Sequence, residues 1–395
     1  MKRVTFRGVG VFADGRQINR VTAFGSTGTY TREQIFEMGH GEVIDVAEDI
    51  DEVSMTIDTN EHGTIDTHLF LAGKATGSKV NFSTDYEFAR VGIWNYASGM
   101  SGTVEKMHVE LMQNAVLTGY SLNYSVDGNA TESFTLTADN KTWFANVEDH
   151  LIVPLFNELG NTWKYDLPSG SDGSEVVHVV MNGIKLAPSA YTGTVNDDIV
   201  EVNINNAPSD ASVHALVKVA AGKGMKFKPD TTKAAVKRRG HVELYLVKNY
   251  TNSGGEITYT EDDLFKIEKA QTVSVDATLN REDIAQLGNY HYYYRPLVVP
   301  IEVSVNFDVI FGDLELWKQF TGAEDDAFTM SSFSNDLGLV IRVFDELDTK
   351  PDRVVIKEIH VPKLIPADEN WNVSLDGQAT QSFSFRASEL AVLKP

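Results

Sequence analysis

The strongest constraint on the fold of this chain is an internal repeat. Three pairs of segments match in the same order: 30–39 (YTREQIFEMG) with 279–288 (LNREDIAQLG), 52–58 (EVSMTID) with 302–308 (EVSVNFD), and 123–134 (NYSVDGNATESF) with 372–383 (NVSLDGQATQSF). All three pairs are offset by 249 or 250 residues. An ordered set of matches at one spacing indicates a duplicated module, and a duplication decides the architecture of a chain.

The repeat divides the 395 residues into three parts, which are a first module at 1–148, an insert at 149–237 and a second module at 238–395. The insert contains short apolar runs around an Asn182-Gly183 pair, which is typical of a hairpin turn. We therefore predict a small inserted β-sandwich that folds independently, and whose span 149–222 is dispensable for assembly.

Each module shows the same order of predicted elements. Capping residues and a following glycine predict short helices at 31–39 and 280–288, and again at 65–72 and 313–320. Strict alternation of apolar and polar residues predicts strands at 52–58 and 302–308, and the modules close with hairpins such as the one that turns at Gly128-Asn129. The predicted fold class is all-β with short helices, as two tandem antiparallel β-sandwich modules plus the inserted small β-sandwich.

Charge and composition narrow the functional classes. The formal net charge is −22, and such an acidic surface repels phosphate backbones, which argues against a conventional nucleic-acid binder. The chain has no cysteine, which excludes disulfides and thiolate metal sites. It shows no signal peptide and no membrane span, so we expect synthesis in a cytoplasm and no membrane partner.

Catalytic motifs are also missing from the sequence. There is no H-E-x-x-H, no G-x-S-x-G and no phosphate-binding G-x-x-x-x-G-K-[ST]. Gly8–Ala13 fits a loose dinucleotide pattern, but Asp14-Gly15 follows at once and predicts a turn where the chemistry needs a helix. We therefore expect no enzyme, no cofactor and no metal site.

The repeated segments carry a family resemblance. They comprise Asn280–Glu282 with Leu287-Gly288, the aromatic run 290–294, Pro300–Val303 with Asn306–Asp308, and the closing hairpins at 125–131 and 374–380. This pattern resembles the tail tube (major tail) proteins of tailed bacteriophages, over roughly three quarters of the chain. The segment 179–186 resembles small β domains appended to phage structural proteins.

The resemblance implies an architecture and a set of partners. Tail tube modules form six-membered rings that stack into a tube, so a chain with two modules would build a pseudo-six-fold homotrimeric ring. Such a tube belongs to the virion tail, encloses a tape-measure protein and lets double-stranded DNA pass without specific binding. The inserted domain favours a non-contractile tail. The alternatives are a β-sandwich protein that binds a host-surface glycan, and a tube-like component of a baseplate or secretion conduit.

Two sets of charged residues are candidates for function. Glu52, Asp58, Glu302 and Asp308 share the polar phase of equivalent strands, and we predict that they line the lumen, where they would keep DNA from adhering. The alternative is that this face meets external solvent.

The second set is basic and lies in the linker where the insert ends and the second module begins. Lys233, Lys237, Arg238 and Arg239 stand out in an acidic chain, and we predict that they contact an acidic face of a neighbouring subunit. The alternative is a solvated linker.

Overall fold

The computed structural model describes most of the chain. The described residues are 9–29, 32–35, 45–48, 52–97, 108–145, 147–196, 198–209, 211–225, 236–287, 292, 294–310, 315–321, 337–346, 353–373 and 379–395.

The predicted all-β class is confirmed. The first module contains β1 (Val9–Ala13), β2 (Arg16–Gln17), β3 (Val21–Thr29), β4 (Arg32–Ile35), β5 (Asp45–Glu48), β6 (Glu52–Asn60), β7 (Lys79–Asn81), β8 (Val91–Ala97), β9 (His108–Ser125), β10 (Thr131–Ala138) and β11 (Asn140–Ala145). The insert contains β12 (His150–Leu159), β13 (Thr162–Asp166), β14 (Glu175–Met181), β15 (Ile184–Lys185), β16 (Tyr191–Asn196), β17 (Ile199–Ile204) and β18 (Val213–Lys218). The second module contains β19 (Val242–Val247), β20 (Thr251–Ser253), β21 (Glu256–Thr258), β22 (Leu264–Lys266), β23 (Ala270–Thr278), β24 (Glu302–Ile310), β25 (Gly338–Phe344), β26 (Val355–Val361), β27 (Ile365–Asn372), β28 (Thr380–Ala387) and β29 (Ala391–Leu393).

Helices are short. They are α1 (Asp66–Leu71), α2 (Phe82–Asp85) and α3 (Glu315–Thr321), with 3-10 turns at Pro188–Ala190, Arg239–His241 and Glu261–Asp263. The helices predicted at 65–72 and 313–320 are confirmed by α1 and α3. Within the described residues, no helix is long and apolar enough to cross a membrane.

The other two predicted helices, at 31–39 and 280–288, are wrong where these segments are described. Residues 32–35 form β4, which pairs with β5, and Arg281 and Ile284 make strand-type bridges to Leu297 and Tyr294. A helix of about eight residues has little stability of its own. Pairing with a segment ten or more residues downstream therefore overrides the capping pattern, and that downstream partner gives no local signal.

One sheet runs through both modules. Following hydrogen-bonded neighbours, its order is β3-β6-β10-β9 from the first module and then β23-β24-β28-β27 from the second. Every neighbouring pair is antiparallel. The alternation predicted for β6 and β24 is confirmed, since Val53, Met55 and Ile57 are buried, as are their counterparts Val303, Val305 and Phe307.

A single apolar core joins the two modules. The inner face of the eight-stranded path packs against a second sheet with the order β22-β19-β25-β26-β29-β7. Its last strand, β7, comes from the first module, so Val80 pairs with Val392 near the C-terminus. The core cluster contains side chains from both modules, for example Met55 and Ile341. The modules are therefore packed together as one body.

The insert forms its own seven-stranded sheet in the order β15-β14-β18-β12-β13-β17-β16, with a separate core around Trp163, Val179 and Val217. The predicted turn at Asn182-Gly183 is present between β14 and β15. The independence that we predicted from the sequence is not complete, however. Leu216 and Val180 share a buried cluster with Trp94 and Leu111 of the first module.

Candidate functional site

The outer face of the eight-stranded path is polar in its six inner strands. Its side chains are mainly Ser, Thr, Asn, Asp and Glu, and they alternate with the buried apolar residues. Cross-strand rows on this face include Asp58-Ser133-Ser121-Asp276-Ser304, which spans both modules without a break. The face is thus one continuous polar surface built from equivalent halves.

The four predicted acidic residues lie on this face. Glu52 and Glu302 are exposed, whereas Asp58 and Asp308 are half-buried. The Ser133 hydroxyl donates to Asp58 and the Thr272 hydroxyl donates to Asp308, each at 2.6 Å. None of the four is buried between sheets, so their side chains can act on whatever occupies this side of the sheet. Which side of an assembly this face meets stays a prediction.

The charge of the face is strongly one-sided. Within the described part of these eight strands, its acidic side chains are Glu52, Asp58, Asp276, Glu302, Asp308 and Asp368, and its one basic side chain is Arg386. Asp276 accepts a hydrogen bond from Ser121 at 2.6 Å. Fixed carboxylates among hydroxyls give a hydrated surface that repels a polyanion.

The two modules meet at a seam formed by β9 and β23. Seven residue pairs run from Ser125 opposite Thr272 to Gly119 opposite Thr278. This pairing cannot be read from the repeat, because β3 and its counterpart β23 share almost no residues. Only the structure shows that they are equivalent. Each carries a one-residue irregularity at the same place, between Val21 and Ala23 in β3 and between Ala270 and Thr272 in β23.

The outer edges of the path repeat the two sides of the seam. Within the described residues, β3 and β27 are each paired on one side only. β3 is the counterpart of β23, and β27 is the counterpart of the second half of β9. β27 also repeats the irregularity of β9, between Pro366 and Asp368 in β27 and at Thr118 in β9.

Of these two edges, the β27 edge exposes large apolar side chains and β3 exposes none. Trp371 and Val373 are 60% and 59% exposed, whereas their counterparts at the seam, Leu122 and Tyr124, are 0% and 5% exposed. The same positions are thus covered in one copy of the module and uncovered in the other. An uncovered strand edge with apolar side chains is a template for pairing with another strand.

A buried ionic cluster lies where the modules pack. The ammonium of Lys357, from β26, donates to Glu61 at 2.5 Å and to Glu132 at 2.7 Å, and Glu132 also contacts His68 Nε2 at 3.0 Å. All four side chains are at most 4% exposed. One ammonium thus serves two carboxylates in an environment that excludes water.

The pKa values follow from this sharing. Burial raises the pKa of Glu61 to about 7, and the charge of Glu132 adds to that shift. Burial also opposes ionisation of Glu132, but Lys357 and His68 outweigh it and hold the pKa of Glu132 well below its usual range. Burial lowers the pKa of His68. The cluster therefore holds one ion pair, Lys357 with Glu132, beside a Glu61 that is protonated up to neutral pH.

Motifs for catalysis or metal binding do not reveal this cluster, although the sequence carries a different signal for it. Lys357 lies on the same face of its strand as Ile359 and Val361, and Glu132 lies on the same face of its strand as Phe134 and Leu136. Both charges therefore stand at core positions of alternating strands, where a charged side chain needs a buried partner.

The four basic residues divide between several environments. Lys233 lies outside the described residues. Lys237 is 2% exposed and donates to the Asp345 carbonyl at 3.1 Å, and burial lowers its pKa. It is therefore held inside its own chain and is not available to a neighbouring subunit, which corrects that part of the prediction. Arg238 and Arg239 are exposed, with Arg238 donating to Asn129 at 3.0 Å, and their contact with a neighbour stays a prediction.

Within the described residues, no group of three or more His, Asp or Glu side chains could hold a metal ion. Asp14 and Gly15 form the predicted turn, between β1 and β2, so no helix begins after the glycine-containing segment.

Among known proteins, similarity is found with solved structures. No protein-family model and no curated protein matches the chain. Two solved structures that align with it are a chain of the tail of an empty GTA particle with C6 symmetry and a chain of the six-fold symmetrised anti-feeding prophage baseplate. The first has a TM-score of 0.24 at 11% identity and covers 38% of this chain and 96% of its own. The second has a TM-score of 0.26 at 11% identity and covers 43% of this chain and 98% of its own. A TM-score below 0.5 does not establish a shared fold.

Proposed function

We propose that this chain is a structural subunit of a phage tail tube, and that three copies form a pseudo-six-fold ring. The observation that carries the proposal is that the two outer edge strands repeat the two strands of the internal seam. The chain joins two equivalent four-stranded sheets through β9 and β23, and its outer edges, β27 and β3, are the counterparts of those same two strands. A seam that can form within the chain can therefore form again between chains.

Repetition of one seam leads to closure. Three chains supply six modules, and a closed ring would pair both open edges of the eight-stranded path, which is one way in which β proteins avoid uncontrolled pairing. If β27 pairs with β3 of the next chain in the register of the internal seam, Trp371 lies opposite Ser26 and Asn370 lies opposite Thr27. Trp371 and Val373 would then be covered as Leu122 and Tyr124 are.

The polar face fits the inner wall of such a ring. A duplex carries one phosphate charge per 1.7 Å of its axis, on the order of six per 10 Å, so a basic wall would bind it tightly. The described outer face is acidic and rich in hydroxyls, which favours passage without adhesion. In this proposal the tube belongs to the virion, encloses a tape-measure protein before ejection and conducts DNA during it, and no reaction is catalysed.

The proposed seam can be tested by disulfide formation, because the chain has no cysteine of its own. Within the chain, Ser121 stands opposite Asp276 and the two side chains touch at 2.6 Å. The double variant S121C/D276C should therefore give an intrachain disulfide and serves as a positive control. The equivalent pair between chains is Thr27 with Asn370, so T27C/N370C should crosslink neighbouring chains.

The crosslinked products distinguish the possible assemblies. Oxidised T27C/N370C should run as a species of three chains under denaturing conditions, and negative-stain microscopy should show rings or tubes. The variant T27C/N372C shifts the pair by two residues along the edge and should crosslink poorly. A ring of six full chains would refute the trimeric stoichiometry, and a monomer that never crosslinks would refute the tube assignment.

A further inference from the structure

Arg281 connects the two modules by hydrogen bonds beside the seam inside the chain. Its guanidinium crosses from the second module and donates to the carbonyls of Tyr86 at 2.8 Å, Glu87 at 3.2 Å and Leu117 at 3.0 Å. A second bond to Leu117 comes from Nε at 3.1 Å. Burial lowers the pKa of Arg281 to about 10. A planar guanidinium with several donors can satisfy carbonyls on two segments at once, so it fixes one module against the other.

The segment that carries Arg281 occurs twice. Arg281 bridges to Leu297 and Ile284 bridges to Tyr294. In the first module β4 and β5 pair Arg32 with Glu48 and Ile35 with Asp45. These pairs coincide with the bridges when the chain is shifted by 249 residues, so the hairpin is repeated with its register and Arg32 stands where Arg281 stands.

The acceptor is repeated as well. Leu117 pairs with Leu136, next to the irregularity of β9, and Pro366 pairs with Phe385, next to the irregularity of β27. Leu117 and Pro366 are therefore equivalent, and they differ by the same 249 residues. A proline has no N–H but keeps its carbonyl, so the substitution at an edge strand leaves the acceptor intact.

We propose that the exposed side chain of Arg32 donates to the Pro366 carbonyl of the next copy of this chain, so that the β4–β5 hairpin straps the seam between chains. The occupant of the β27 edge is a second copy, because the internal seam shows which strand and which hairpin cover that edge. This inference rests on the proposed ring, and it adds the residue that holds each ring joint.

The test compares two arginines that play one role at two seams. Arg32→Ala should weaken association of the chains at least ~10-fold, measured by native mass spectrometry over a concentration series, because a charge-assisted hydrogen bond is lost. It should lower the melting temperature of the isolated monomer less than Arg281→Ala does. Arg281→Ala should lower the melting temperature of the monomer, because it opens a joint inside the chain. Gln34→Ala, an exposed change on the same strand as Arg32, should alter neither quantity. Arg32→Lys should restore little of the association, because an ammonium is a compact charge without the planar set of donors of a guanidinium.

The outcomes separate this inference from the proposed function. If the unaltered chain forms rings and Arg32→Ala forms them equally well, the strap is wrong while the tube assignment stands. If Arg32→Ala lowers monomer stability as much as Arg281→Ala does, Arg32 acts within its own chain and the inference also fails. If the unaltered chain forms no ring at all, both proposals fail together.

Discussion

Lys357 Nζ lies 2.7 Å from Glu132 Oε1, although the lysine belongs to the second module and the glutamate to the first. Both side chains are buried, and the position equivalent to Glu132 in the second module is occupied by Gln381. The ion pair is thus peculiar to one copy of the repeat, and it fixes how the modules pack on each other.

Removing the ammonium should destabilise the chain strongly. Lys357→Met leaves a buried carboxylate without its partner, and such changes cost about 3–5 kcal/mol. The free energy of unfolding, from denaturant titration, should fall by that amount. Lys79→Met breaks an exposed pair with Glu256 and serves as the matched control, with little change expected. If the triple variant K357M/E61Q/E132Q regains the free energy of unfolding, the destabilisation in Lys357→Met comes from the unpaired charge. If it does not, the destabilisation comes from altered packing.

Stability should depend on pH through Glu61. Its pKa is raised from 4.5 to about 7 in the folded chain by burial, so between those values the folded chain binds more protons than the unfolded chain. The contribution of this group is therefore fully present below pH 4.5 and is lost as the pH rises to 7. Glu61→Gln should remove that loss, which amounts to at most about 3 kcal/mol.

The measurement for Glu61 is urea unfolding at about pH 5, 6, 7 and 8, which spans the window between the unfolded and folded pKa values. Glu302→Gln, an exposed change on β24, should leave the wild-type pH dependence intact. Parallel pH curves for Glu61→Gln and wild type would show that Glu61 does not titrate in this window.

Deletion of residues 149–222 should be geometrically simple but energetically costly. His150 and Lys218 are paired neighbours, so a short Gly-Ser bridge can join the ends. The deletion would, however, uncover Trp94 and Leu111, which share a buried cluster with the insert. We expect rings to form, because β3 and β27 lie in another part of the sheet, but with a lower melting temperature measured by calorimetry. An undiminished melting temperature would show that the shared cluster contributes nothing.

Reversal of charge on the polar face should affect passage of DNA and leave assembly intact. Changing Glu52, Asp58, Glu302 and Asp308 to Lys should give tubes that retain duplex DNA at low salt and release it at high salt. A control with Gln and Asn at the same positions should retain much less. Filter binding on purified tubes measures the difference, and ejection assays on reconstituted particles extend it. Normal ejection by the Lys variant would place this face on the exterior.

The sequence predicted those elements whose signal is local. Alternation identified β6 and β24, and the Gly128-Asn129 turn identified the hairpin of β9 and β10, because each of these patterns depends on neighbouring residues. The capping pattern at β4 predicts a helix wrongly because the pairing partner of this strand lies ten or more residues away. The β9–β23 seam escapes prediction for a related reason, since its two strands are separated by more than a hundred residues and join copies that have diverged.

For the candidate site, the sequence located the acidic residues but not the edges beside them. The polar phase of Glu52 and Glu302 is readable from a single strand. The exposure of Trp371 is not, because an apolar residue in an alternating strand looks the same whether it is covered by a neighbour or lies on an open edge. The basic residues around Lys237 lie close together in sequence and so predict a surface contact, whereas the fold buries this ammonium against Asp345.

Covalent joining of two modules changes how a ring of this kind would assemble. Each internal seam is formed once, as the chain folds, so closure of the ring becomes a three-body encounter in place of a six-body one, and its yield at low protein concentration rises accordingly. Joining also frees the two kinds of joint to evolve separately. In such a ring the permanent joint would carry Leu122 and the reversible joint would carry Trp371, so a mutation could tune the strength of the second without changing the first.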